Sequence, residues 1–355
     1  MTKINNQLGI ALRLSTALWF AVITLPGVVW GTTTSDEGPT VIATIPLGEP
    51  AGAGTAAANP LTNTIYVTTA GQFGGDCESH HVSVIDGSAN AVLSPITVGL
   101  NPFGLAVNTN TNMIYVANAG GVGAFGCKRE RSFTVSVIDG ASNSVVNNIT
   151  VGLGPAFVAV NPKTNKVYVT VSGGCCTSGN TVAVIDGATN VVVKTITVAD
   201  DPFLIAANPR TNLVYVTHAG VDKITVIDGA TDTVKTTFSI GSEARAIAFD
   251  PNAKFVYVAA RNINQLAVVD ASNNTVVQYI PVGSRPHGVV FNPDNSRIYV
   301  TNRNDGTVSV IDSSTRTVVA TVPVGGSPRF LDINRRTGLI YVPNATDVSV
   351  SVIQD

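Results

Sequence analysis

Charge is scarce in this chain: Asp, Glu, Lys and Arg make up 12% of its 355 residues, and the formal net charge is -2. So weak a field offers no general attraction to a phosphate backbone, which excludes nucleic acid as a general partner, although a local basic patch could still hold an anion. There are four cysteines and four histidines. No Cys-x-x-Cys-His occurs among them, so covalent haem attachment is excluded. Beyond residue 31 no apolar stretch is long enough to span a bilayer. Few charges together with 33 Gly and 18 Pro suit short strands and many turns better than amphipathic helices, and an all-β class follows.

The N-terminus is the one apolar run. Lys3 and Arg13 precede Leu14 to Trp30, and Val29 and Gly31 place small residues where a signal peptidase cuts. Residues 1–31 read as a cleaved signal peptide, leaving residues 32–355 as one secreted, periplasmic or cell-envelope domain. No cysteine stands at the cut, so no lipid anchor is expected.

Internal repetition dominates the remainder. Tyr-Val pairs begin at Tyr66, Tyr115, Tyr168, Tyr215, Tyr257, Tyr299 and Tyr341. Each leads to a second strand ending in Val-Ile-Asp or a variant, at Asp86, Asp139, Asp186, Asp228, Asp270, Asp312 and Gln354. A third strand like Thr317 to Gly325 follows, then a Pro-containing connector and a fourth strand such as HGVVFNP. Four strands repeated at about 42 residues predict propeller blades, because a lone twisted sheet cannot cover both of its faces. The seventh repeat lacks its third strand, whereas TVIATIPLG at Thr40 to Gly48 supplies one. The expectation is a seven-bladed β-propeller of four-stranded blades, its ring closed by an N-terminal strand that completes the last blade and removes exposed edges.

VYVTHAG, IYVTNRN and IYVPNAT resemble the YVTN-repeat family of seven-bladed propellers, found in bacterial and archaeal envelope proteins. The resemblance covers residues 40–355 and implies the architecture. It does not imply one activity, since related propellers serve as scaffolds, binders, lyases and lactonases.

The departures from regularity point to one face. From each Val of Val-Ile-Asp to the next Tyr is always 31 residues, whereas Tyr to Val spans 11 in repeats four to seven but 18, 22 and 16 in repeats one to three. With strands lettered A to D outwards from the axis, the added length lies in B–C loops, which share a face with the D–A connectors. Cys77, Cys127, Cys175 and Cys176 all fall in those loops. In an exported chain disulfides are the default. Cys77 with Cys127 would join adjacent blades and leave a vicinal Cys175–Cys176 pair; both alternatives skip a blade. The segment from Asp76 to His81 holds potential metal ligands, but adjacent histidines on a strand point to opposite faces, so a solvated, stapled loop is expected rather than a metal site. No motif names a cofactor.

Counting back 12 from each Tyr reaches the start of the innermost strand: Gly54, Phe103, Ala156, Phe203, Arg245, His287 and Arg329. Three residues beyond each Tyr lie Thr69, Asn118, Val171, His218, Ala260, Asn302 and Asn344, with Arg261 and Arg303 following two of them. A channel mouth with a cationic side is expected, where Arg245, Arg261, Arg285, Arg303, Arg329 and His287, with Phe103 and Phe203, would hold a small anion. Alternatively the arginines pair with Asp200, Asp201 or Glu243. Three functions are open: a monomeric binder of a small anion or an envelope protein, a lyase- or lactonase-like enzyme using His287 or His218 as acid–base, or a structural surface protein.

Overall fold

The computed structural model describes residues 38–48, 52–70, 79–120, 131–173, 178–252 and 254–355. The leader, all four cysteines and most of the three long B–C loops lie outside these residues.

Seven antiparallel sheets form the described domain, and each takes its strands in chain order from A to D. The exception is the blade that closes the ring. There Thr40–Pro46 is the outermost strand, paired along Ser349–Gln354, with Ile340–Asn344 and Asp332–Ile333 inside it. Each innermost strand touches those of both neighbouring blades, including Gly52–Asn59 against Asp332–Ile333, so the ring is complete. The expected closure is therefore present, and so are all seven blades.

Burial follows from this stacking. Strands B and C are covered on both faces by adjacent blades and are almost wholly buried, whereas the D strands alternate, as in the exposed and covered residues of Val191–Thr197. Six of the seven outer strands carry a bulge, for example between Val41 and Ala43, and in blade 1 the outer strand is broken around Pro95 into Ala91–Val92 and Ile96–Thr97. Bulges and a proline spoil an edge as a template for pairing with another chain.

The repeated turns are built from side-chain hydrogen bonds. Asp86, Asp139, Asp186, Asp228, Asp270 and Asp312 each accept from the backbone N–H two residues on, at 2.7 to 3.0 Å. The glycine that follows Asp86, Asp139, Asp186 and Asp228 keeps a negative or extended φ. The left-handed residue is the fourth after the Asp, as at Asn90, Asn143, Asn190 and Asp232 (φ 51 to 56°). Gly140 and Gly187 are bare for another reason: a Cβ there would lie 2.8 and 2.7 Å from the backbone oxygens of Asn112 and Asn165.

The motif tyrosine pegs each of the first three blades to the next. Tyr66, Tyr115 and Tyr168 donate to Asn143, Asn190 and Asp232 of the following blade at 2.6, 3.1 and 3.0 Å. Burial pushes the Tyr66 and Tyr115 hydroxyls up to about 12, which keeps them as donors at every ordinary pH. On the face of the A–B turns, Asn59, Asn108, Asn161 and Asn334 form a second set of inter-blade links, each donating to a turn Asn of the next blade at 2.6 to 2.7 Å.

Candidate functional site

The channel mouth on the B–C face is made by a backbone irregularity that recurs in six blades. Pairing of strand A with strand B slips just after its first residues, as between Pro102 and Leu105, Pro202 and Ile205, Ala244 and Ile247, and Pro286 and Val289. Residues within the slip leave the ladder and project towards the axis.

In blades 1, 3, 4 and 6 the threonine of the Tyr-Val-Thr motif holds the slip in place. Its hydroxyl accepts a backbone N–H from its own blade's slip and donates to a carbonyl at the next blade's mouth. Thr170 takes Phe157 N–H at 2.9 Å and donates to the Phe203 carbonyl at 2.7 Å. Thr217 similarly joins Leu204 to Arg245, and Thr301 joins Gly288 to Arg329. The repeat motif thus fixes the backbone from which the mouth's arginines extend. Thr301→Val, which keeps the shape but removes the hydroxyl, would leave a buried donor and acceptor unpaired. It is expected to cost about 2 kcal/mol in urea unfolding and to weaken any ligand of Arg329.

Four phenyl rings close the channel beneath the mouth. Phe157 packs edge-on against Phe103, Phe203 and Phe330 with centroids 5.2, 5.0 and 4.7 Å away. The His287 ring lies 4.5 Å from Phe330, and the Arg245 guanidinium sits 4.5 Å above Phe203. His287 is buried, and its Nδ1 has no hydrogen-bond partner. Burial, reinforced by the charges of Arg245, Arg329, Arg303 and Arg261, holds its pKa well below the usual imidazole value, so it is neutral at pH 7.

Arginines from three consecutive blades surround this floor, with one carboxylate among them. Glu243 accepts from Arg245 Nη2 at 2.7 Å and from Arg261 Nη1 at 3.1 and 3.2 Å. Arg303 donates through Nε to Ser327 Oγ at 3.0 Å, and Arg329 makes no ion pair among the described residues. The Nε atoms of Arg245, Arg261 and Arg329 are buried without acceptors. Burial lowers both Arg245 and Arg329 to about 10, with Arg261 adding to the effect on the first and Arg303 on the second. Both remain cationic at neutral pH. Nearby acids are otherwise engaged: Asp222, Asp305 and Asp347 accept backbone N–H groups of the D–A connectors at 2.6 to 2.8 Å.

Residues 227–319 match the family described as lactonase, 7-bladed beta-propeller. No curated protein matches the chain. Among solved structures, Kuenenia stuttgartiensis hydrazine synthase is similar, with a TM-score of 0.73 and 20% identity over 93% of this chain and 99% of that one. At that identity the likeness is one of fold. The matched segment 227–319 includes Arg245, Arg261, Arg285, His287 and Arg303, but not Arg329.

The structure brings together most of the residues expected at the mouth. Phe103 and Phe203 join the aromatic floor, and Arg245, Arg261, Arg303, Arg329 and His287 lie within electrostatic reach of one another. Arg285 is exposed on the connector with φ 53°, close enough for its charge to act on Arg245 and Arg303. His218 is placed differently. It is wholly buried, with Nδ1 on the Asp200 carbonyl and Nε2 on Thr225 Oγ1, both at 2.9 Å, so neither nitrogen is free. Asn118, Asn302 and Asn344 occupy the same place in their blades and donate to Ser or Thr of strand C. That position is a latch within the blade rather than a mouth residue. Of the acids considered as arginine partners, only Glu243 serves. Phe157 and Phe330, one residue beyond the counted position, complete the floor because the slip turns two successive residues inward. The four cysteines and their pairing lie outside the described residues.

Proposed function

We propose that this protein is an exported, YVTN-type propeller that binds a small anionic ligand at the B–C mouth of its channel. The observation that carries the reading is the imbalance of charge: Arg245, Arg261, Arg303 and Arg329 converge on a desolvated aromatic floor with Glu243 as their one carboxylate partner among the described residues. An oxyanion accepting from Arg329 and Arg303 would supply the missing charge through charge-assisted hydrogen bonds. The leader-like residues 1–31 and the four cysteines support export.

A second reading is favoured by the lactonase-family match together with the neutral, unpartnered Nδ1 of His287. In it the anionic group of a lactone rests on the arginines while His287 takes the proton of the water that attacks the ring carbonyl, and, as the ring C–O bond breaks, returns it to the leaving alkoxide oxygen, giving a hydroxy acid. One titration series tests both. Inorganic phosphate, sulfate and small di- and tricarboxylates should bind in calorimetry where neutral sugars do not, and Arg329→Gln should weaken the best anion at least tenfold, about 1.4 kcal/mol. Binding of none of these anions, or an unchanged Arg329→Gln, would overturn the anion site. His287→Asn should leave anion affinity near that of the parent; loss of lactone turnover in that variant alone would decide for the enzyme.

A further inference from the structure

A second cavity lies on the other side of the phenylalanine floor. It encloses about 350 Å³, is roofed by Phe157 and Phe330 and reaches the A–B turn face beside Pro60 and Arg335. Small and branched apolar side chains from the inner strands, among them Ala56, Leu105, Val158 and Ala206, make most of its wall. Among the described residues one carboxylate, Asp332, stands in that wall.

Asp332 is placed by the seam that closes the ring. Strand A of blade 7 lies parallel to that of blade 1, with Ala56 N–H donating to the Phe330 carbonyl at 2.9 Å and Phe330 N–H to the Gly54 carbonyl at 3.3 Å. Two residues further on, Ala58 N–H donates to Asp332 Oδ2 at 2.9 Å. The side chain makes no ion pair among the described residues. Arg335, the one cationic residue among the described residues that line the cavity, gives its guanidinium to the Phe291 carbonyl at 3.1 Å instead. A carboxylate half-buried in an apolar wall with no ion-pair partner among the described residues favours a cation of the right size over an anion or a neutral molecule. Burial accordingly raises the Asp332 carboxyl above the usual range, against the pull of its backbone donors and of Arg335.

We propose that this cavity binds a small protonated amine with a short hydrocarbon body, the ammonium on Asp332 and the chain against the Ala, Leu and Val wall. An ammonium brings three donors to a carboxylate that backbone groups satisfy only in part, and a volume near the lower end of ligand pockets suits a short chain. The proposal does not depend on the arginine mouth, from which Phe157 and Phe330 separate it.

The test is calorimetry on the full chain at pH 7 with n-butylammonium chloride, n-butanol and sodium butyrate as probes. Butylammonium is expected to saturate at one per chain, with the other two at least tenfold weaker. Asp332→Asn keeps an oxygen for Ala58 N–H and should lower butylammonium affinity at least tenfold. Ala206→Phe, which fills the cavity from blade 4 without touching the carboxylate, should do the same. Phosphate binding at the mouth should survive both substitutions, which separates failure here from failure there. Equal affinity for all three probes, or butylammonium binding retained in both variants, would refute the amine site.

Discussion

A chain lacking residues 38–48 is expected to lose its cooperative unfolding transition and to aggregate, even though six of its blades remain intact in sequence. The outermost strand of the closing blade, Thr40–Pro46, is paired along Ser349–Gln354, and Leu47 N–H donates to the Val348 carbonyl at 3.0 Å. Ile45 and Leu47 are 4% and 5% exposed and pack in one cluster with Tyr341, Val350 and Val352. Burying two such side chains contributes about 4 kcal/mol, comparable with the roughly 5–15 kcal/mol by which a whole domain is stable. Deletion also bares Ser349–Gln354, a strand whose residues Val350, Val352 and Ile353 are fully covered in the intact ring, and a long apolar edge seeds association. Thermal and urea melts followed by size-exclusion chromatography read the effect. A truncated monomer that melts at the parent's midpoint would show that the ring does not depend on this strand.

Glu243→Gln is expected to do two opposite things: to destabilise the free protein by about 3 kcal/mol or more, and to tighten the binding of anions. The carboxylate serves two buried guanidiniums at once, Arg245 at 2.7 Å and Arg261 at 3.1 Å, with side-chain exposures of 13% and 10% beside its own 9%. Removing one partner of a buried ion pair leaves a charge away from water without compensation, and here it leaves two. The same vacancy suits an incoming oxyanion, which no longer competes with a fixed carboxylate. Melting temperature should therefore rise more steeply with phosphate concentration in Glu243→Gln than in the parent, since binding to the folded state alone stabilises it in proportion to the logarithm of ligand over Kd. Adding Arg261→Met, which removes one of the stranded cations, should recover part of the lost stability. If Glu243→Gln melts with the parent and responds to phosphate no more strongly, the mouth is not the anion site proposed above.

Much of this molecule is legible because its contacts repeat with the chain. The 31-residue interval from strand C to the next Tyr is constant because every part of it is constrained: the Asp-capped C–D turn, the slip at the mouth clamped by the motif threonine, and the Asn-linked A–B turn. The B–C loops alone escape those constraints, and their lengths of 18, 22 and 16 residues from Tyr to Val show it. What was misread came from treating single positions as strands of ideal register. His218 was expected at the mouth because it ends strand B, but a last residue of strand B turns back onto strand C, where a hydroxyl such as that of Thr225 awaits it. Phe157 and Phe330 escaped the count because a slipped pairing sends two adjacent residues the same way, which the two-residue alternation of a strand forbids.

By itself the sequence determined the number of blades, the strands within each, the closure of the ring by Thr40–Pro46 and the face that carries the arginines, because all of these follow from spacing and alternation along the chain. Only the tertiary structure decided which arginine meets Glu243, which histidine keeps a nitrogen free, and that Asp332 stands beside Ala58 in a cavity below the phenylalanine floor. The last of these pairings joins residues that the curvature of the ring, rather than any local pattern, brings together: Ala58 and Asp332 are 274 positions apart and bonded at 2.9 Å.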